Sequence, residues 1–216
     1  VQEVKKGERM KKAPLPFTTS TLQQEAAKVL NFSTQKTMRL AQQLYEGIDI
    51  KGEGTVGLIT YLRTDSTRIS EEADRAAREY IGQNWGERYV AQTVTEKKNS
   101  QKIQDAHEAI RPSDIKRSPA LIKDALGRDQ FRLYQLIWKR FTASRMEQAK
   151  FETTSVKIGV NGYTFTVSAS KLLFDGFLSV YSDSDEDLKG GNVLTGKLDE
   201  NSVLTLKKLD SKQHFT

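Results

Sequence analysis

Two runs of alternating residues meet at a dipeptide that tolerates the positive φ angles of a tight hairpin turn. Val156, Ile158 and Val160 precede Asn161-Gly162, and Tyr163, Phe165 and Val167 follow it. Asn-Gly suits the two consecutive positive φ angles of a type I′ turn, whose twist matches that of paired strands. A two-residue turn there sets Val160 opposite Tyr163, Ile158 opposite Phe165 and Val156 opposite Val167, so all six side chains share one face. The stretch therefore predicts an antiparallel β region beginning near Phe151.

Upstream, the apolar spacing is helical. Ser20 or Thr21 is expected to cap a first helix, since each has Gln three residues on (Gln23, Gln24), and Leu22, Ala26, Val29 and Leu30 form its stripe up to Asn31. Ser33 opens a second helix through Met38, Leu40, Ala41, Leu44 and Tyr45, with Gly47 as its stop. The tight joint between the two is like a helix-turn-helix. Ser70 caps a third helix with Glu71 and Glu72 in its first turn, and Pro119 to Met146 reads as two helices split at Gly127-Arg128. The run Thr95 to Gln104, with Lys97, Lys98 and Lys102, reads as a solvated loop. After the hairpin, Phe174, Phe177, Leu178, Val180 and Tyr181 predict another strand, Asp183 to Asp187 a solubilising acidic loop, and Val203, Leu204 and Leu206 a last strand. The predicted class is α+β and multidomain, a helical domain over residues 18–148 inserted between an N-terminal segment, 1–17, and a β continuation, 149–216.

Composition limits the function classes. With 37% hydrophobic and 29% charged residues among 216, the chain can bury a real core. Its 34 Lys and Arg against 28 Asp and Glu give +6, which favours an anionic partner without identifying one. The absence of cysteine rules out disulfides and thiolate metal sites, and no run of about 18 apolar residues offers a membrane span. The cytoplasm is the expected compartment. The chain begins at Val1, without an initiator Met, and is expected to be an excised fragment.

The chemistry concentrates in Gly57-Leu-Ile-Thr-Tyr-Leu-Arg-Thr-Asp-Ser-Thr-Arg-Ile-Ser70. Val56 to Ile59 is expected to be a buried strand that delivers Tyr61 and Arg63 to one face, with Leu62 on the other. A phenol is a weak nucleophile with a free pKa near ~10, and a neighbouring guanidinium favours the phenolate while gripping phosphate oxygens. A lone Tyr at a strand end more often packs its ring into a core, and a lone His such as His107 is more often structural.

Three stretches in order shift that balance: Pro16-Phe-Thr-Thr-Ser-Thr-Leu-Gln-Gln-Glu-Ala26, Leu58-Ile-Thr-Tyr-Leu-Arg-Thr-Asp-Ser-Thr67 and Ala106-His-Glu-Ala-Ile-Arg-Pro112. Together they resemble the active-site region of bacterial type IA DNA topoisomerases, with Leu62 standing where many members carry Met. The resemblance implies a helical tyrosine domain set into an antiparallel β arch domain. It implies that Tyr61 attacks a single-strand DNA phosphodiester to give a 5′-phosphotyrosine, with Arg63 and His107 stabilising the phosphate and Thr64, Asp65 and Ser66 at the DNA. Arg111 either contacts a phosphate likewise or pairs with Glu108 or Asp114 to brace the loop. No metal site is expected in this stretch, because the family's acidic, Mg2+-binding nucleotidyl-transfer module has no match here, and no nucleotide cofactor is implied. The expected partner is DNA, preferably single-stranded, and the expected state a monomer that relaxes negative supercoils. A noncatalytic helix-turn-helix module is the alternative, and would bind duplex DNA with sequence preference.

Overall fold

Alternation builds one part of the molecule and helical periodicity the other. The computed structural model describes residues 1–92, 107–182, 199–205, 207 and 208. The chain divides into two units: Val1–Met10, Lys150–Phe174 and Ser184–Thr216 form one, and Lys11–Ala149 with Asp175–Asp183 the other.

The first unit is a three-stranded sheet of β1 (Glu3–Lys11), β4 (Ala149–Val160) and β5 (Tyr163–Phe174), in the order β1-β4-β5. β4 and β5 pair antiparallel with Val160 opposite Tyr163, Ile158 opposite Phe165 and Val156 opposite Val167, the expected register. Asn161 and Gly162 take φ of 46° and 83°, so both turn residues are left-handed, as a type I′ turn demands. Only the base of this face is covered: Val156 is fully buried, whereas Val160, Tyr163 and Phe165 near the turn are exposed. β1 is tied to β4 by ion pairs from Lys157 to Glu3 at 2.8 Å and from Lys150 to Glu8 at 2.9 Å. Hydrogen bonds from Lys157 and then Lys5 hold the Glu3 carboxyl well below the usual range, at about 2.

The second unit is mainly helical. α1 (Thr19–Glu25) continues into a π-helical turn, Ala26–Leu30, and ends at Asn31 with φ of 56°. Its cap is Thr18, earlier than the expected Ser20 or Thr21. Thr18 Oγ1 accepts from Thr21 N–H, and Thr21 Oγ1 accepts from Thr18 N–H, so hydroxyls close the box in place of the glutamines. α2 (Thr34–Glu46) starts at its cap Ser33 and stops at Gly47, as expected. A small antiparallel hairpin of β2 (Ile48–Ile50) and β3 (Gly54–Val56) follows. α3 (Glu71–Trp85) is capped by Ser70. α4 (Pro119–Ile122) is short, and α5 (Arg128–Ser144) supplies the middle of the core, where Leu133, Tyr134, Ile137 and Phe141 meet Leu22, Leu44, Leu58, Leu62 and Ile110. The buried Tyr134 hydroxyl donates to Arg117 O at 2.7 Å and Trp138 Nε1–H to Ile115 O at 2.8 Å, leaving neither polar group unpaired.

Three expected strands differ. The strand preceding Tyr61 stops at Val56, and Leu58 and Ile59 are buried without a ladder, since their backbone bonds go to separate segments. Phe174 closes β5, and Gly176–Ser179 is a 3-10 turn because Gly176 adopts φ of 49° and turns Phe177 and Leu178 into the core. Val203 and Leu204 lie in no strand, and Leu206 falls outside the described residues, as do Lys97, Lys98, Lys102 and Asp183 to Asp187. Among the described residues, no helix is long and apolar enough to cross a membrane.

Candidate active site

Tyr61 lies on an irregular loop whose neighbours are anchored from both sides. Before it, Leu58 N–H donates to Leu44 O at 2.7 Å, Thr60 N–H donates to Arg111 O at 2.9 Å, and the Thr60 hydroxyl donates to Ala109 O at 2.8 Å. After it, Thr19 at the start of α1 takes over. The Thr19 hydroxyl accepts from Thr64 N–H at 2.9 Å and shares its proton between Leu62 O at 2.7 Å and Thr64 O at 3.0 Å, while Thr19 N–H also donates to Thr64 O. Ile110 N–H closes the circuit on Phe17 O at 2.8 Å. The three stretches singled out in the sequence are thus stitched into one structure by bonds between residues remote in the chain.

The anchoring sets what faces water. From Tyr61 to Ser66 exposure alternates: Tyr61, Arg63 and Asp65 are exposed, and Leu62, Thr64 and Ser66 are buried. Tyr61 and Arg63 therefore share the open side and Leu62 the core side, although no regular strand carries them. Tyr61 is 44% exposed. His107 is also exposed, and its ring centroid lies 6.1 Å from that of Tyr61 with planes tilted by 30°.

Thr64 and Ser66 are engaged within the chain. Ser66 N–H donates to the Thr64 hydroxyl and Arg68 N–H to the Ser66 hydroxyl, forming successive turns beneath the exposed residues. Arg111 pairs with Glu108: its Nε and Nη2 reach Glu108 Oε2 at 2.9 and 2.7 Å, and Nη1 donates to Pro112 O. Burial pushes the Glu108 carboxyl up, but its hydrogen bonds with Ser70 and Arg111 and the guanidinium charge outweigh that and hold it below its ordinary value. Glu108 thereby ties the residue after His107 to the cap of α3.

Two contributors were not legible as functional residues. Thr19 was one hydroxyl among several before a helix. Tyr45 counted only as a member of the α2 stripe, yet it is 39% exposed and meets Tyr61 edge-to-face with centroids 5.6 Å apart. Among the described residues, no three His, Cys, Asp or Glu side chains are grouped so as to hold a metal ion.

The loop that holds an exposed phenol beside an imidazole lies within a chain whose likeness is to the type IA DNA topoisomerases. The chain belongs to that family: its model, described as DNA topoisomerase, matches residues 1–216. Among solved structures the chain is similar to full-length topoisomerase I from Thermotoga maritima in a monoclinic crystal form, with 38% identity and a TM-score of 0.78. The match covers 91% of this chain and 31% of that one, so the chain spans less than a third of the relative's length.

Proposed function

We propose that Tyr61 is the nucleophile of a type IA topoisomerase and that the 216 residues form its tyrosine-bearing part. The observation that carries this reading is Tyr61 exposed beside His107 on a loop fixed at both flanks, a phenol free to meet a backbone phosphate. The Tyr61 oxygen attacks phosphorus and loses its proton to solvent. The bond from phosphorus to the 3′ oxygen breaks, that oxygen takes up a proton, and a 5′-phosphotyrosine remains. A second strand passes, and the 3′-hydroxyl attacks the phosphotyrosine to restore the backbone and release Tyr61. Phosphodiester energy is conserved in the intermediate, so no nucleotide is consumed, and negative supercoils relax.

Arg63 and His107 stabilise charge on the phosphate, and Asp65 lies at the rim of the same exposed strip. Thr64, Ser66 and Arg111 act by holding the loop. The helical unit is the tyrosine domain and the sheet unit belongs to the arch. Mg2+ in the complete enzyme belongs to a nucleotidyl-transfer module outside these residues, and no step assigned to this chain passes through it. Single-stranded DNA is the preferred partner, since exposed aromatic rings beside cationic side chains can stack unpaired bases.

The test is Tyr61→Phe in the complete enzyme with a labelled single-stranded oligonucleotide. Covalent adduct should disappear, by well over ~1,000-fold, while melting temperature and noncovalent affinity stay near wild type, because an exposed hydroxyl contributes little to packing. A surviving phenol-independent adduct would end the assignment.

A further inference from the structure

Tyr45 occupies a place that core packing does not explain. It is the penultimate residue of α2, beside the fully buried Leu44, and its own ring is 39% exposed. The backbone places it deliberately close to the loop. Leu58 N–H is bonded to Leu44 O, and Gly57 passes so near that a Cβ there would stand 2.8 Å from Tyr45 O. Any other residue at 57 would push the end of α2 from the Tyr61 loop, which gives this glycine a steric reason. The result is that the Tyr61 ring has two aromatic neighbours, the Tyr45 ring edge-to-face at 5.6 Å and 69°, and the His107 ring at 6.1 Å.

An exposed tyrosine on a loop ordinarily samples several rotamers, and holding one for attack loses that freedom. Two aromatic neighbours at these spacings restrict the ring before DNA arrives, so less ordering remains for the reacting complex. We infer that Tyr45 is a positioning residue for the Tyr61 nucleophile, acting through its ring and not its hydroxyl. The inference rests on the assignment of Tyr61 above.

The experiment uses the complete enzyme and a single-stranded oligonucleotide. Single-turnover formation of the covalent adduct at saturating DNA gives the rate, and the same Tyr45 substitutions in a Tyr61→Phe background give affinity without cleavage. Tyr45→Ala should slow adduct formation roughly three- to tenfold, the range that matches an aromatic pair's orientation energy. Affinity should change by less than about twofold, and Tyr45→Phe should restore the rate to within about twofold, since the ring contact is kept. If Tyr45→Ala does not fold, Tyr45→Leu keeps apolar bulk without a ring and takes its place. An unchanged rate in the ring-deleted variant overturns the inference. So does a Tyr45→Phe enzyme as slow as that variant, and so does an affinity loss equal to the rate loss, which would make Tyr45 a base-stacking contact. An adduct formed by Tyr61→Phe alone would instead overturn the nucleophile assignment, so the two failures are distinct.

Discussion

The β4–β5 hairpin and the Tyr61 loop are held by opposite kinds of bond. In the hairpin each residue pairs with one reached through the two-residue turn at Asn161-Gly162, and the register runs from Val160 opposite Tyr163 down to Phe151 opposite Leu172. The loop has no ladder: Thr19 meets Leu62 and Thr64 across 43 and 45 positions, and Thr60 meets Ala109 across 49. The hairpin is regular, and at its turn end Tyr163 and Phe165 face water. The loop is irregular, and it exposes Tyr61, Arg63 and Asp65 while Leu62, Thr64 and Ser66 are buried between them. A reactive side chain can be displayed to solvent and still be held still when its neighbours are tied down from elsewhere. Local pairing gives a shape, and remote pairing gives a fixed position.

If remote bonds hold the loop, removing one hydroxyl should do more harm there than any change at the hairpin turn. Thr19→Val preserves shape but strips the acceptor for Thr64 N–H and the donor to Leu62 O. It should lower the unfolding free energy by about 2 to 3 kcal/mol, because a buried donor is left unmatched. Denaturant titration reads this directly, and a loss below about 0.5 kcal/mol would mean that the Thr19 hydroxyl is not what holds the loop.

The same contrast governs what the sequence disclosed. The hairpin register, the caps Ser33 and Ser70 and the stops Asn31 and Gly47 were legible because turn and cap chemistry act over a few residues. The cap of α1 was misplaced because Thr21 answers Thr18 with a hydroxyl, a pattern that the glutamines at 23 and 24 obscured. The segment after Phe174 carried strand-like bulk, and Gly176 turned it into the core. At the site, the side of the loop on which Tyr61 and Arg63 lie followed from simple alternation. The meeting of Tyr61 with His107 came only through resemblance, since nothing in either segment encodes its distance from the other. Tyr45 was hidden by its own periodicity, because helical spacing does not distinguish a core ring from one at the rim.

A change at the turn should produce a smaller and purely local loss. Gly162 has φ of 83°, and Gly162→Ala puts a Cβ on a left-handed residue. The expected destabilisation is about 1 to 2 kcal/mol. In hydrogen exchange it should appear on the β4 and β5 amides while the amides of residues 58–66 keep their protection. Equal loss in both regions would erase the distinction between local and remote support.

The smallest effect concerns acid. Glu108 accepts from Arg111, and the net shift of its carboxyl is below the ordinary value of 4.5. A carboxyl that ionises more readily folded than unfolded adds stability above its unfolded pKa, and that stability is lost as pH falls through the lower folded value. The window therefore opens near pH 4.5 and extends downward, with no contribution to the pH dependence at neutrality. Glu108→Gln should be less stable at neutral pH by about 1 kcal/mol, the scale of a partly buried charged pair. As pH falls below the window the difference should shrink, because the wild-type carboxyl becomes neutral as well. In the sheet, Glu3 is held lower, at about 2, but by lysines whose own side chains are exposed, so salt screens them. Glu3→Gln should thus leave a stability difference that vanishes in high salt, whereas that of Glu108→Gln should persist. A Glu108 difference that disappears in salt as readily as the Glu3 one would show that the brace beside His107 is no better shielded than a surface pair, and the loop would owe its position to the hydrogen bonds of Thr19, Thr60 and the neighbouring backbone.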